Sequence, residues 1–387
     1  MSNRKQLLLF FQFFEKIHFV KDPFMVPYFL GKRLGYKVSI LYPRLPQNKD
    51  LPSEYSGVSL LPISINLAGT TPKEKYSNVI DYVYDHSKEI DILMLFFGDS
   101  VSEPIAESYK RGNIKGKIYI KLDMDPYNAR GLGMLPYWKR PFSWIKQTWK
   151  RRDFINCVDV ASCETSLAYR KIQSGIIPYH NYGEKLVVVP NGIDEREIEQ
   201  MGFGKSLYSQ KENIMITVGR LGTHQKNTET LLQALANVNL KDWKFYMIGT
   251  IEKEFIPYLE EFQKEHPELN NKIIWTGPIT NRSELYKLFN KSKVFVLSSR
   301  HESFALVFTE AQRFSNYIIT TPVGAAIDVV MDDKYGQIVP VDDDKSLAES
   351  IQGVVNGTTD IDVFADYDIS QLSWEYRIEP VAKMLEQ

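Results

Sequence analysis

Cysteine is nearly missing: Cys157 and Cys163 are the only two among 387 residues, without metal-ligand companions or a redox spacing. A disulfide scaffold and a thiolate metal centre are thereby excluded, and two reduced thiols in a reducing compartment are expected. Net charge is nearly absent as well. Lys and Arg number 47 against 48 Asp and Glu, a formal balance of −1, so the molecule as a whole has no electrostatic case for nucleic acid. No apolar run approaches the roughly 18–20 residues of a membrane span. Short-period repeats and low-complexity tracts are lacking too, which removes solenoids and collagenous rods. Arg4 and Lys5 before Leu7, Leu8, Leu9, Phe10 and Phe11 imitate a signal peptide, but Gln12 and Glu15 interrupt the stretch and no small-residue cleavage site follows. A buried first strand and a cytosolic protein are the expectation.

What is present is globular. Hydrophobic residues make up 43% and charged residues 25%, ordinary for a soluble domain. A chain of 387 residues exceeds the size at which one core stops growing, so two domains are expected. In the first half, strand-like runs at 7–14, 37–42, 92–97, 117–122, 158–162 and 186–189 alternate with helical patterns at 24–34, 76–87 and 102–111. Asp22 and Pro23 suit an N-cap and first helical position. The second half alternates likewise: strands at 213–218, 244–248, 273–276, 294–297 and 317–320, helices at 228–238, 256–265, 283–290 and 308–315. Such alternation implies parallel sheets covered by helices on both faces. The stretch 192–212 has low periodicity and reads as a linker. The expected division is 1–206, with a returning helix at 367–387, and 207–366.

One stretch departs in composition. Arg130, Lys139, Arg140, Lys146, Lys150, Arg151 and Arg152 occur within 130–152 with no acid, interleaved with Trp138, Phe142, Trp144 and Trp149. Cations and aromatics together suit an anionic membrane surface. A solvated basic helix with packed tryptophans is the competing reading.

Three motifs carry chemistry. The segment Ser298-Ser299-Arg300-His301-Glu302-Ser303-Phe304-Ala305-Leu306 leaves a buried strand and enters a helix that contains Glu310. Open α/β sheets bind ligands at such places, and a helix start presents N–H groups to an anion. Upstream, Val218-Gly219-Arg220-Leu221-Gly222 leads to Lys226, setting two cations around a glycine turn. Arg supplies a fork of donors and Lys a point charge, a pairing suited to a diphosphate. Surface cations near a turn are the bland alternative. Val189-Pro190-Asn191-Gly192-Ile193-Asp194 is a breaker-rich turn consistent with a hinge or a plain surface turn.

In this order and spacing the three motifs resemble glycosyltransferase family 4, retaining enzymes of the GT-B architecture: two Rossmann-like doubly wound α/β domains facing across a cleft, the C-terminal helix crossing back to the first. The match runs from about Leu186 to Val330, with Ser373-Trp374-Glu375 in the tail. The resemblance implies that Arg220 and Lys226, beside Gly219, bind the donor diphosphate of a nucleotide-sugar, a UDP-sugar first and a GDP-sugar second. It assigns Glu310 to ribose, Ile279 to the base loop, and Glu302 with Ser303, Phe304, Ala305 and Leu306 to the sugar and phosphate. Cations would neutralise the leaving nucleotide, so no metal and no cofactor is expected, the nucleotide-sugar being a co-substrate. A glycan or lipid-linked glycan would be the acceptor, at the cytosolic face of a membrane. Asp123, at a strand end, is a candidate for assisting the acceptor hydroxyl; with Lys21, Asp22 and Asp125 it forms the acceptor-side set. Asp123 and Asp125 also fit the Asp-x-Asp metal pattern of the other major sugar-transferase fold. Three positions depart from the family pattern. Lys21-Asp22-Pro23 replaces paired glycines, and Asn227 and Ala305 each stand where a glycine is usual. These departures motivate a competing reading, a degenerate subunit that binds or scaffolds; a GT-B epimerase or phosphorylase is a further one.

Overall fold

The computed structural model describes residues 5–125, 149, 151–174 and 181–387. The chain divides into two compact units, Met1–Gly192 with Trp374–Gln387, and Ile193–Ser373.

The first unit is built on β1 (Gln6–Phe10), β2 (Lys37–Pro43), β3 (Glu54–Tyr55), β4 (Val58–Ile63), β5 (Ile92–Phe96), β6 (Lys117–Leu122), β7 (Val160–Cys163) and β8 (Leu186–Val188). Their order is β3-β4-β2-β1-β5-β6-β7-β8, parallel throughout except for the short β3 beside β4. Central strands such as Leu7-Leu8-Leu9 and Ile92-Leu93-Met94 are apolar at every position because both faces are covered, one by each of two hydrophobic cores. The helix Asp22–Leu34 follows β1, with Pro23 in its first turn and Gly35, at φ 72°, closing it in the left-handed conformation.

The second unit carries β9 (Glu212–Val218), β10 (Lys244–Ile248), β11 (Ile273–Gly277), β12 (Ser292–Leu297), β13 (Tyr317–Thr320) and β14 (Gly336–Ile338), all parallel, in the order β11-β10-β9-β12-β13-β14. Renumbered from β9 this is 3-2-1-4-5-6, the Rossmann order, with its reversal between β9 and β12. Two cores again flank the sheet.

Several expectations shift. The strand expected over 7–14 stops at Phe10, because the chain leaves the sheet where strand order reverses and turns through Lys16–Val20, held by Glu15 N donating to His18 Nδ1 at 2.9 Å. Strand β4 was not expected, its apolar pattern being broken by Pro62 on an outer strand, and neither were β14 and the helix Asp344–Asn356. The stretch 192–212 is not a bare linker. It contains the helix Glu195–Gln200, capped by Asp194, and the Arg313 guanidinium grips Glu195 at 2.5–2.9 Å. Lys211 lies buried with Nζ 2.7 Å from Ser292 O and 2.6 Å from Phe314 O. These anchors place the division at Gly192 instead of 206. Trp374 packs in the first unit 2% exposed, and a Cβ on Gly192 would stand 2.9 Å from it, so the turn there requires glycine. Residues 367–373 remain with the second unit. Among the described residues no helix is long and apolar enough to cross a membrane.

Candidate functional site

The reversal between β9 and β12 parts two adjacent loops, and both sequence motifs leave the sheet there. Gly219 follows β9; its N–H donates to Ile248 O at 3.0 Å. The carbonyl of Gly219 passes so close to Gly249 that a Cβ there would lie 1.8 Å away, and a Cβ on Gly219 itself would meet Lys226 Cε at 2.9 Å. Two bare backbones thus let the Lys226 stem lie across the strand end. Its ammonium reaches Glu302 Oε1 at 2.6 Å. Glu302, 8% exposed, also accepts from Ser299 Oγ at 2.8 Å and, on Oε2, from Gln225 Nε2 at 3.3 Å. Arg220 is exposed at the rim. Gly219, Lys226 and Glu302 are therefore brought together, with Arg220 beside them in the chain.

Between Glu302 and Glu310 the chain makes a strained passage. Ala305 holds φ at 69°, where the Cβ of an L-residue crowds its own carbonyl at a cost of about 1–2 kcal/mol. Its conformation is fixed by neighbours: Ala325 N donates to Phe304 O at 3.1 Å, and a Cβ on Gly324 would sit 2.6 Å from that oxygen. Ala305→Gly is expected to stabilise the protein by about 0.5–1 kcal/mol, offset in part by the freer unfolded chain; chemical denaturation midpoints check it, and a less stable variant would refute the strain. Asn227 shows the same economy at φ 51°. Both residues keep the left-handed backbone that glycine would give, so the two departures do not dismantle the loops.

Glu310 lies half-buried on the helix Val307–Arg313. Burial lifts its pKa to about 7, with Arg282 pulling the other way. Arg282 stacks over Tyr286 at 5.2 Å and stands 3.9 Å from Glu197. Glu310 therefore belongs to a second charged group, one helix away from the Lys226–Glu302 pair. Ile279 follows β11 and Gly277, packed at the margin of the core.

The acceptor-side residues lie in the first unit, and there the structure adds two that the sequence reading missed. Lys121, near the end of β6, is fully buried. It bonds Glu164 Oε1 and stands 2.9 Å from Asp22 Oδ2; Asn191 Nδ2 donates to the same Glu164 oxygen at 2.8 Å. Burial opposes the charge on Lys121, but Asp22, Glu164 and Asp123 outweigh it and raise its pKa. Glu164 is pushed up to about 8, first by burial, then by the surrounding carboxylates against the pull of Lys121. The Asp22 carboxylate is thus turned inward to Lys121, and Asn191 of the expected hinge is a buried partner of Glu164. Lys21 only precedes the helix, while Asp123 and Asp125 are half-buried just beyond β6. A lysine inside the apolar strand 117–122 was the available signal.

Most of 130–152 lies outside the described residues. Trp149 is 68% exposed, while Arg151 is buried against Glu103 at 3.3 Å and over Phe154 at 4.9 Å.

Residues 202–365 match the family model of glycosyl transferases group 1. The chain is 27% identical over 192 residues to the capsular polysaccharide biosynthesis glycosyltransferase CapM of Staphylococcus aureus, covering 44% of this chain and 49% of CapM. It is 29% identical over 162 residues to a Campylobacter jejuni alpha-1,4-N-acetyl-D-galactosaminyltransferase named for a diNAcBac-PP-undecaprenol glycan, covering 41% and 42%. The chain spans about half the length of the curated relatives it matches. In three dimensions it resembles HepE of Anabaena, solved in complex with UDP, over 99% of both chains with a TM-score of 0.68 at 14% identity. That likeness is one of fold, and the fold is GT-B, two Rossmann-like parallel-sheet domains.

Proposed function

We propose, from the match of residues 202–365 to the group 1 glycosyl transferases and from the site around Lys226, that this protein transfers a sugar from a nucleotide-sugar to a glycan or lipid-linked glycan. The observation that carries the reading is the Lys226–Glu302 pair at 2.6 Å beside Gly219, at the strand-order reversal of the second unit. A partly buried ammonium held against one carboxylate is a cation with room for a second anion. Lys226, with Arg220, neutralises the charge that grows on the departing nucleoside diphosphate, which makes a metal dispensable. Glu302 and residues 303–306 hold the sugar, and Glu310 accepts from ribose hydroxyls. UDP is the first candidate nucleotide, since HepE was solved with it. Transfer with retention, and an acceptor met by Asp123 and Asp125, complete the reading.

The lipid-linked acceptor of the Campylobacter relative and the exposed Trp149 support work at an anionic membrane face. Arg151, buried against Glu103, is not among the cations that would serve there. The left-handed backbones of Asn227 and Ala305 answer two of the three departures that motivated a degenerate subunit.

A thermal-shift panel of UDP- and GDP-sugars tests the proposal. A ligand that binds only the native state at about 100 times its Kd adds about 2.7 kcal/mol, so one nucleotide class should raise the melting temperature by several degrees. A flat response to every nucleotide would sink the transferase reading.

A further inference from the structure

The loop that carries Lys226 is fastened from outside. Four successive carbonyls, 224 to 227, all accept from Ser298 or Arg300, just after β12. Arg300 Nη1 donates to His224 O at 2.8 Å and Arg300 N to Gln225 O at 2.8 Å. Ser298 Oγ lies 3.1 Å from both Lys226 O and Asn227 O. Arg300 is itself held: its Nε donates to Asp342 Oδ1 at 2.8 Å, and the same oxygen accepts from Asn227 Nδ2 at 3.0 Å. One carboxylate oxygen, arriving after β14, therefore ties both loops of the site at once. Asp342 adopts φ 61° to present it, a conformation that Asp tolerates better than most residues.

An ion pair this open to solvent, with side chains 24% and 54% exposed, contributes little stability of its own. Its effect is geometric. Without it, Arg300 loses its orientation, the carbonyl of His224 loses its donor, and the Asn227 side chain keeps only its bond from Thr230 Oγ1. The Lys226 ammonium rides on that segment, and an ion-pair partner displaced by an ångström gives up much of its attraction.

We propose that Asp342, acting through Arg300 and Asn227, is a positioning residue for the β-phosphate of the donor nucleotide. The inference rests on the nucleotide-sugar reading of the same site. It adds that the clamp serves the diphosphate and not the nucleoside, which Glu310 and the loop at Ile279 would hold.

Titration calorimetry of the full chain with UDP and UMP tests it, read as the ratio of the two dissociation constants. Asp342→Ala is expected to shrink the wild-type preference for UDP by about tenfold, a change the size of one oriented charged contact, while UMP affinity stays within about twofold. Arg300→Ala should do the same, and Asp342→Asn, which keeps the accepting oxygen, should restore the preference. An unchanged ratio in both alanine variants overturns the inference, and so does a parallel loss of UDP and UMP, the mark of a merely structural role. Lys226→Ala separates the two levels. If it abolishes the preference and Asp342→Ala does not, only the clamp is wrong. If wild type binds neither nucleotide, or Lys226→Ala leaves the preference intact, the nucleotide reading fails and takes the clamp with it.

Discussion

Lys226→Ala is expected to reduce sugar transfer by on the order of 10²-fold or more, as loss of one preorganised charge facing a developing anion does elsewhere. The loss should fall mainly on kcat, because the leaving-group charge is largest in the transition state. Lys226 has a second role, which the assay must separate. Its ammonium satisfies Glu302 at 2.6 Å, and its removal leaves that carboxylate to Ser299 and Gln225. A Lys226→Arg variant retains the cation and the partner but spreads the charge over a plane, so it should recover binding better than turnover. Near-normal kcat in Lys226→Ala, with an unchanged melting curve, would remove this residue from the chemistry and leave the proposed function without its main support.

The second large effect concerns stability. Replacing Lys121 with alanine takes away the cation that pairs with both Asp22 and Glu164, at a position with no solvent exposure. Removing one partner of a buried ion pair leaves an uncompensated charge and costs about 3–5 kcal/mol; urea midpoints should show it, and a loss below about 1 kcal/mol would mean that water reaches the cluster. Glu164 supplies a pH test. Its folded pKa, about 8, lies above the roughly 4.3 of a free Glu. The stability this carboxyl contributes is therefore complete below pH ~4.3 and drains as pH rises toward 8. Glu164→Gln cannot ionise, so its stability relative to wild type should improve as pH climbs from 6 to 9. A flat difference across that window would show that Glu164 is ionised throughout.

Much of the second unit was legible because local and tertiary demands coincide there. Strands such as 244–248 and 294–297 are apolar throughout, and a strand buried on both faces must be. The glycines at 219 and 222 mark turns where side chains do not fit, and the acids eight apart flank a helix start. Legibility failed where a residue's partner is remote in the chain. Lys211 and Glu195 looked like linker charges, yet each is claimed by groups about 80 and 118 residues away. Asp342 carried no signal at all, since its partners Arg300 and Asn227 are 42 and 115 residues distant.

The sequence alone determined the alternation of strands and helices, the two-unit organisation and the order of the chemical motifs, because periodicity, turn chemistry and residue type act over a few neighbours. Tertiary structure decided which charges meet: that Lys226 faces Glu302 while Glu310 joins Arg282, that Asp22 turns inward to Lys121, and that the division falls at Gly192. Those outcomes depend on sheet order, which brings strands distant in the chain side by side, and on burial, which compels an ionic group removed from water to find a partner wherever the fold places one.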